Sequence, residues 1–105
     1  MMSFSNIDVA GLLELQNSGG VRLVDVRTDA EVSRGVIPGA IHIPLHLIPL
    51  TEMDWNIPTV IYCQSGGRSG QACSFLSAKG WNGLSNLQGG ILAWVASGNA
   101  LSRLA

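Results

Sequence analysis

The run Thr59-Val60-Ile61-Tyr62-Cys63 constrains this chain more than any other stretch. It joins β-branched and aromatic side chains with no polar alternation. Successive side chains of a strand point to opposite faces, so a strand that is apolar throughout has to be covered on both. That is the setting of a parallel sheet between helices. The chain has the material for such a cover, being 47% hydrophobic and only 12% charged. Its 105 residues suit one domain, residues 1–105, built round one core. A disordered chain would be charge-rich and poor in apolar residues.

The flanking patterns alternate helix and strand. Ser5-Asn6-Ile7-Asp8 matches a variant capping box, a hydroxyl followed three residues on by a carboxylate. The helix it opens would carry Val9, Leu12, Leu13 and Gln16 on one side and stop at Gly19-Gly20. Val21 to Val26 reads as a strand and Thr28 to Val32 as a short helix. Ile37 to Leu45 combines a Pro-Gly turn with a brief strand. Leu47 to Pro58 is broken by Pro49 and Pro58 and reads as loop or short helical turns. A helix is expected from Arg68 to Lys79, with Ala72, Phe75, Leu76 and Lys79 at helical spacing and Gly80 at its end. Gly83 to Gly90 reads as strand and turn, and Ile91 to Ser97 as a last helix with Trp94 facing inward. This alternation argues for an α/β fold with a mainly parallel sheet.

Charge and cysteine usage narrow the function classes. Six Lys and Arg stand against seven Asp and Glu, for a net charge of −1, and Lys79 is the only lysine. No basic run offers a nucleic-acid surface. The longest apolar stretch, Ile41 to Leu50, holds two histidines and two prolines, so it does not read as a membrane span. The first residues lack the charged start and apolar core of a signal peptide. A cytoplasmic protein is expected, with Cys63 and Cys73 reduced rather than bridged. The cysteines lack zinc-site spacing, and His42 and His46 lie in another segment, so no metal site is expected.

The chemistry concentrates behind Cys63, at the end of the apolar strand. In open α/β folds ligands bind beyond the carboxyl ends of the strands. Gln64, Ser65, Gly66, Gly67, Arg68 and Ser69 follow directly. Gly66 and Gly67 can adopt conformations that turn successive backbone N–H groups inward, which makes an anion cradle. The N-terminus of the next helix adds positive potential, and Arg68 adds a full charge. A cysteine thiol titrates near 8.5, and such surroundings lower it to roughly 3.5–7.5. Cys63 therefore reads as a thiolate nucleophile in a pocket for a small anion. Cys73, in mid-helix beside Ala72, reads as a packing residue, with a resolving thiol as the alternative.

Three motifs extend this reading into a family resemblance. CQSGGRS, 63 to 69, resembles the rhodanese active-site loop C-x-x-G-x-R-S. LVDVRTDAEVSRGVIPGAIHIPL, 23 to 45, resembles the upstream signature of that family, and LQGGILAW, 87 to 94, its downstream L-x-G-G-x-x-A-W. The chain thus resembles a single-domain rhodanese over about residues 7 to 97. The resemblance implies about five strands in a mainly parallel sheet with helices on both faces. It implies a sulfurtransferase in which Cys63 attacks the sulfane sulfur of a donor such as thiosulfate and carries it as a persulfide. A thiol, cyanide or a protein would accept it, with no metal or organic cofactor and no nucleic acid or membrane partner. The N–H groups from Gln64 to Ser69 would hold the persulfide, with Asp25 and Arg27 supporting the site. Glu31 is placed to pair with Arg27 at i+4, and Gly35, Pro38, Gly39, Gly89 and Gly90 read as backbone-shaping.

Two features depart from the family pattern: Val36 stands where a histidine is frequent, and Arg68 is the loop's only cation. Other classes compete with the enzyme reading. A sulfur carrier or binding module would hold sulfur without turnover, docking through the apolar segment from Leu45 to Trp55, although that segment reads better as cover for the sheet edge. A cysteine phosphatase would need C-x5-R, whereas Cys63 to Arg68 is C-x4-R, with Tyr62 where a histidine is frequent.

Overall fold

The computed structural model describes residues 4–104. Five parallel strands run β1 (Ser5–Ile7), β2 (Arg22–Asp25), β3 (Ile41–His42), β4 (Thr59–Tyr62) and β5 (Leu84–Leu87), in the spatial order β1-β5-β4-β2-β3. The helices are α1 (Val9–Ser18), α2 (Asp29–Val32), α3 (Gly67–Ala78) and α4 (Gly90–Ala96), with a 3-10 stretch at Leu45–Leu50. β4 is central, and all four of its residues are buried, as an uninterrupted apolar strand demands.

The two-residue period of the strands divides the core into two layers. Val60 and Tyr62 of β4 face one side, where Leu23 and Leu87 join Val9 and Leu12 of α1 and Ile91 and Trp94 of α4. Val24 and Ile61 face the other, against Ala72, Cys73 and Leu76 of α3 together with Ile48 and Trp55. Cys63 continues this second layer. Ile48 and Trp55 show that the segment after β3 covers the α3 side of the sheet, while Leu47 and Leu50 remain exposed.

Three local expectations are corrected. Ser5 does not cap α1: residues Ser5–Ile7 pair with Ser85, Asn86 and Leu87 as an edge strand. Asp8 is the cap instead, its carboxylate accepting from the N–H of Gly11 at 2.8 Å. Phe75 does not face the core. The buried face of α3 is Ser69, Ala72, Cys73, Leu76 and Ser77, and Phe75 is 38% exposed under the Lys79 ammonium. Gly67 needs no glycine conformation, since it is an ordinary first helical residue with open space where a Cβ would be.

A buried ion pair anchors the carboxyl end of β2. Asp25 is fully buried and Arg27 4% exposed. The Arg27 Nε donates to Asp25 Oδ2 at 3.0 Å, its NH2 to Oδ2 at 2.8 Å, and NH2 also to the Gly35 carbonyl at 2.7 Å. The backbone N–H of Arg27 donates to Asp25 Oδ1, and the Arg27 cation lies over the Tyr62 ring. The Tyr62 hydroxyl accepts from the N–H of Ile37, and burial and Asp25 push its ionisation far up. This cluster ties β2, α2, β4 and the Pro-Gly turn together under the site. Removing one member of such a pair strands a charge in the core, which costs about 3–5 kcal/mol. Asp25→Ala should therefore lose about that much stability in urea unfolding; a loss under about 1 kcal/mol would contradict the anchoring role.

Candidate active site

Cys63 follows the last residue of β4 and is 1% exposed. Its carbonyl accepts from the N–H of Ile91 at 3.0 Å, and that of Gln64 from the N–H of Leu92 at 3.2 Å. Both donors belong to the first turn of α4. This close approach depends on Gly90, which has a φ of +58° and whose added Cβ would lie 2.5 Å from the Cys63 carbonyl oxygen and 2.6 Å from that of Gln64. The downstream Gly-Gly thus has a physical reason: α4 grips the carbonyl side of the loop and leaves its N–H side for the thiol.

The donors converge on Cys63 Sγ. The N–H of Gly66 lies 3.1 Å away and Ser69 Oγ 3.4 Å away. Gly66 reaches this position with a φ of +112°, as the cap of α3. Burial pushes the Cys63 thiol up, but hydrogen bonds from the Ser69 hydroxyl and from the backbone of Ser69, Gly66 and Ser65 outweigh it and hold the thiol below its ordinary value. Within the expected Gln64 to Ser69 loop, the Gly66 N–H and the Ser69 hydroxyl are the donors at hydrogen-bond distance from the sulfur. Cys73 has no such donors, and burial alone pushes it up to about 12. Neither cysteine is in a disulfide.

Behind Ser69 stands a residue that sequence reasoning missed. Asn86 of β5 accepts from Ser69 Oγ at 2.5 Å through Oδ1, and its Nδ2 donates to the Gly66 carbonyl at 3.2 Å. It therefore holds both Sγ donors of the loop from below. The available signal was a polar residue facing inward between Leu84 and Leu87 in a strand with covered faces.

The second cation is arranged differently from the expected i+4 pair. Arg27 turns inward to Asp25, which leaves the Glu31 carboxylate for Arg68. Arg68 NH1 donates to Glu31 Oε1 at 2.7 Å and NH2 to Oε2 at 2.8 Å. Hydrogen bonding to Arg68, with help from Thr28, lowers the Glu31 carboxyl to about 2. Arg68 thus joins α3 to α2 at the mouth of the site and is not a free charge. Val36 is buried and pairs with Ser102, away from solvent. Two grooves flank the pair: one of about 380 Å³ includes Glu31, Gln64 and Leu92, the other of about 680 Å³ includes Arg68, Leu45 and Leu47. Among the described residues, no group of three or more His, Cys, Asp or Glu side chains is placed to hold a metal ion, and no helix is long and apolar enough to cross a membrane.

Known proteins resemble this chain over most of its length. The model of the rhodanese-like domain family matches residues 8–97. A sulfurtransferase of Allochromatium vinosum is 46% identical over 86 residues, covering 80% of each chain. The thiosulfate sulfurtransferase GlpE of Shewanella oneidensis is 31% identical, covering 90% of this chain and 95% of its own. The crystal structure of a rhodanese-like domain protein from Staphylococcus aureus superposes with a TM-score of 0.82 at 34% identity, over 96% of this chain and 99% of the other. The parallel five-stranded sheet, the loop after its central strand and the match across nearly the whole chain agree, and the chain belongs to the rhodanese-like domain family.

Proposed function

We propose that this protein is a cytoplasmic sulfurtransferase that moves sulfane sulfur from a donor such as thiosulfate to a thiol, cyanide or protein acceptor through a persulfide on Cys63. The observation that carries this reading is the convergence of the Gly66 N–H and the Ser69 hydroxyl on a thiol held below its ordinary pKa. The Cys63 thiolate attacks the outer sulfur of thiosulfate, the S–S bond breaks, and sulfite leaves with the electron pair. Cys63 then carries an extra sulfur whose negative charge lies beside the same donors. An acceptor nucleophile takes that sulfur and returns the thiolate. Ser65, Gly66 and Ser69 hold the anionic sulfur, Gln64, Gly67 and Arg68 complete the loop, and Asp25 and Arg27 keep its base in place. The names of the relatives support sulfur transfer. The C-x4-R spacing and the engagement of Arg68 by Glu31 weigh against phosphate transfer.

Cys63→Ser should abolish sulfite release from thiosulfate while leaving thermal unfolding unchanged, because the hydroxyl is nearly isosteric and forms no persulfide. Release at the parent rate would remove Cys63 from the mechanism. Steady-state turnover with cyanide and with dithiol acceptors separates an enzyme from a carrier, which would load one sulfur and stop.

The charge state of Cys63 is open to direct measurement. Alkylation by iodoacetamide follows the thiolate, so a lowered pKa means reaction begins at lower pH. Cys63 should reach half its maximal rate below pH 8.5, the ordinary value, and Cys73 should stay unreactive across neutral pH. A Cys63 midpoint at or above the ordinary value would leave the loop as a turn without electrostatic purpose.

Ser69→Ala removes one donor from the thiolate and so disfavours the charged form. The Cys63 midpoint should move upward by about one pH unit, equivalent to about 1.4 kcal/mol. An unmoved midpoint would assign the stabilisation to the backbone alone.

A further inference from the structure

The ion pair at the mouth of the site has a consequence for the donor. Arg68 is the only cation between Cys63 and Ser69. It sits in the first turn of α3, where the helix dipole disfavours a positive side chain. Glu31 meets both of its terminal nitrogens, with the pair only 35% and 20% exposed. The nearby Arg27 is likewise closed by Asp25. Each cation at the base and mouth of the site therefore has its own anion, and Arg34, at the rim of the smaller groove, is exposed to solvent and salt. Both grooves beside the pair also present apolar side chains, Leu92 and Val95 in one and Leu45 and Leu47 in the other.

We propose that Glu31 sets donor specificity: by closing a bidentate ion pair on Arg68 it cancels the loop's one cation and directs Cys63 toward organic persulfides and away from the thiosulfate dianion. This rests on the sulfur-transfer reading of Cys63. Thiosulfate brings two negative charges to a loop whose one cation is already closed by a carboxylate, with only the solvent-screened Arg34 at the rim left to receive them. An organic persulfide, R–S–SH, brings at most one at its sulfur end and an R group that the apolar grooves can cover. The step is balanced without an oxidant or reductant. The Cys63 thiolate attacks the outer sulfur of R–S–SH, a new S–S bond forms to Cys63, the old one breaks, and R–S⁻ leaves with its electron pair. The transferred sulfur keeps its proton until solvent takes it.

Glu31→Gln tests the charge alone. Glutamine at this position can keep the capping box with Thr28, since Glu31 Oε1 accepts from the Thr28 N–H at 3.1 Å and either residue type serves at the third helical position. The first readout requires no turnover: the ratio of Cys63 alkylation rates with iodoacetate, which is anionic, and iodoacetamide, which is neutral. Glu31→Gln should raise this ratio roughly three- to tenfold, the size of one nearby charge at a solvated site. Arg68→Ala should lower it, and both changes should shrink in 1 M salt. The second readout is sulfur loading of Cys63, measured by mass, with thiosulfate and with the persulfide of 2-mercaptoethanol. Glu31→Gln should raise loading from thiosulfate relative to the persulfide by at least the same factor. An alkylation ratio within twofold of the parent, or an unchanged donor ratio, would overturn the role of Glu31 while leaving sulfur transfer standing. Parent protein that takes sulfur from neither donor would instead bring down the sulfur-transfer reading, and the donor preference with it.

Discussion

The contact on which the rest of the site depends is between backbones. The carbonyls of Cys63 and Gln64 are held by the N–H groups of Ile91 and Leu92. A chain that turns sharply after a strand has to satisfy both its donors and its acceptors. Here the acceptors are taken by the first turn of α4, so the donors of Ser65, Gly66 and Ser69 are free to face the sulfur. Gly90 is the only residue type that permits this approach, given its φ of +58° and the two carbonyl oxygens within 2.6 Å of its would-be Cβ. The motif at residues 87 to 94 lies far in sequence from Cys63, yet it determines which side of the loop the thiol sees.

Two ion pairs share the neighbourhood and differ in physical character. Asp25 and Arg27 are closed off from water and joined by several hydrogen bonds, so their value is that neither can be removed alone. Glu31 and Arg68 are partly exposed, and pairs of that kind contribute little to stability. Their weight is on potential: the Glu31 carboxylate, 2.7 Å from the Arg68 guanidinium, offsets its charge at the protein surface. The same residue types thus act on folding in one place and on electrostatics in the other, and burial makes the difference.

Much of this was legible in the sequence, for identifiable reasons. The unbroken apolar run at 59 to 63 required a strand covered on both faces, and β4 is buried at every position. A glycine turn after the strand and a helix behind it followed from strand end, turn residues and helical spacing. What escaped was decided by contacts distant in sequence. Ser5 looked like a cap because its hydroxyl and Asp8 stood at the right spacing, but pairing with β5 drew it into the sheet. Glu31 looked like a partner for Arg27 at i+4, but Asp25 and the Gly35 carbonyl drew Arg27 inward and left Glu31 to a residue 37 positions away. Asn86 offered only the sign of a polar residue in a covered strand, because its partners, on α3 and the loop before it, are distant in sequence.

Asn86 also competes with the sulfur for the Ser69 proton. The Ser69 hydroxyl has one proton and three acceptors within reach: Asn86 Oδ1 at 2.5 Å, the Gly66 carbonyl at 3.2 Å and Cys63 Sγ at 3.4 Å. While Cys63 is a neutral thiol, sulfur is a weak acceptor, and the short contact to Asn86 takes the proton. When the sulfur is anionic the ranking reverses, since a hydrogen bond to a charged acceptor is roughly twice as strong as a neutral one. The exchange begins with a rotation about the Ser69 Cβ–Oγ bond, which removes the proton from between Oγ and Asn86 Oδ1. Asn86 Nδ2 is held by the Gly66 carbonyl, so its Oδ1 keeps its place, and a hydroxyl that turns its proton to sulfur has to draw its oxygen away from Oδ1. The Ser69 hydroxyl is thus the donor whose contribution grows as negative charge develops on sulfur, while the backbone N–H of Gly66 supplies the constant part.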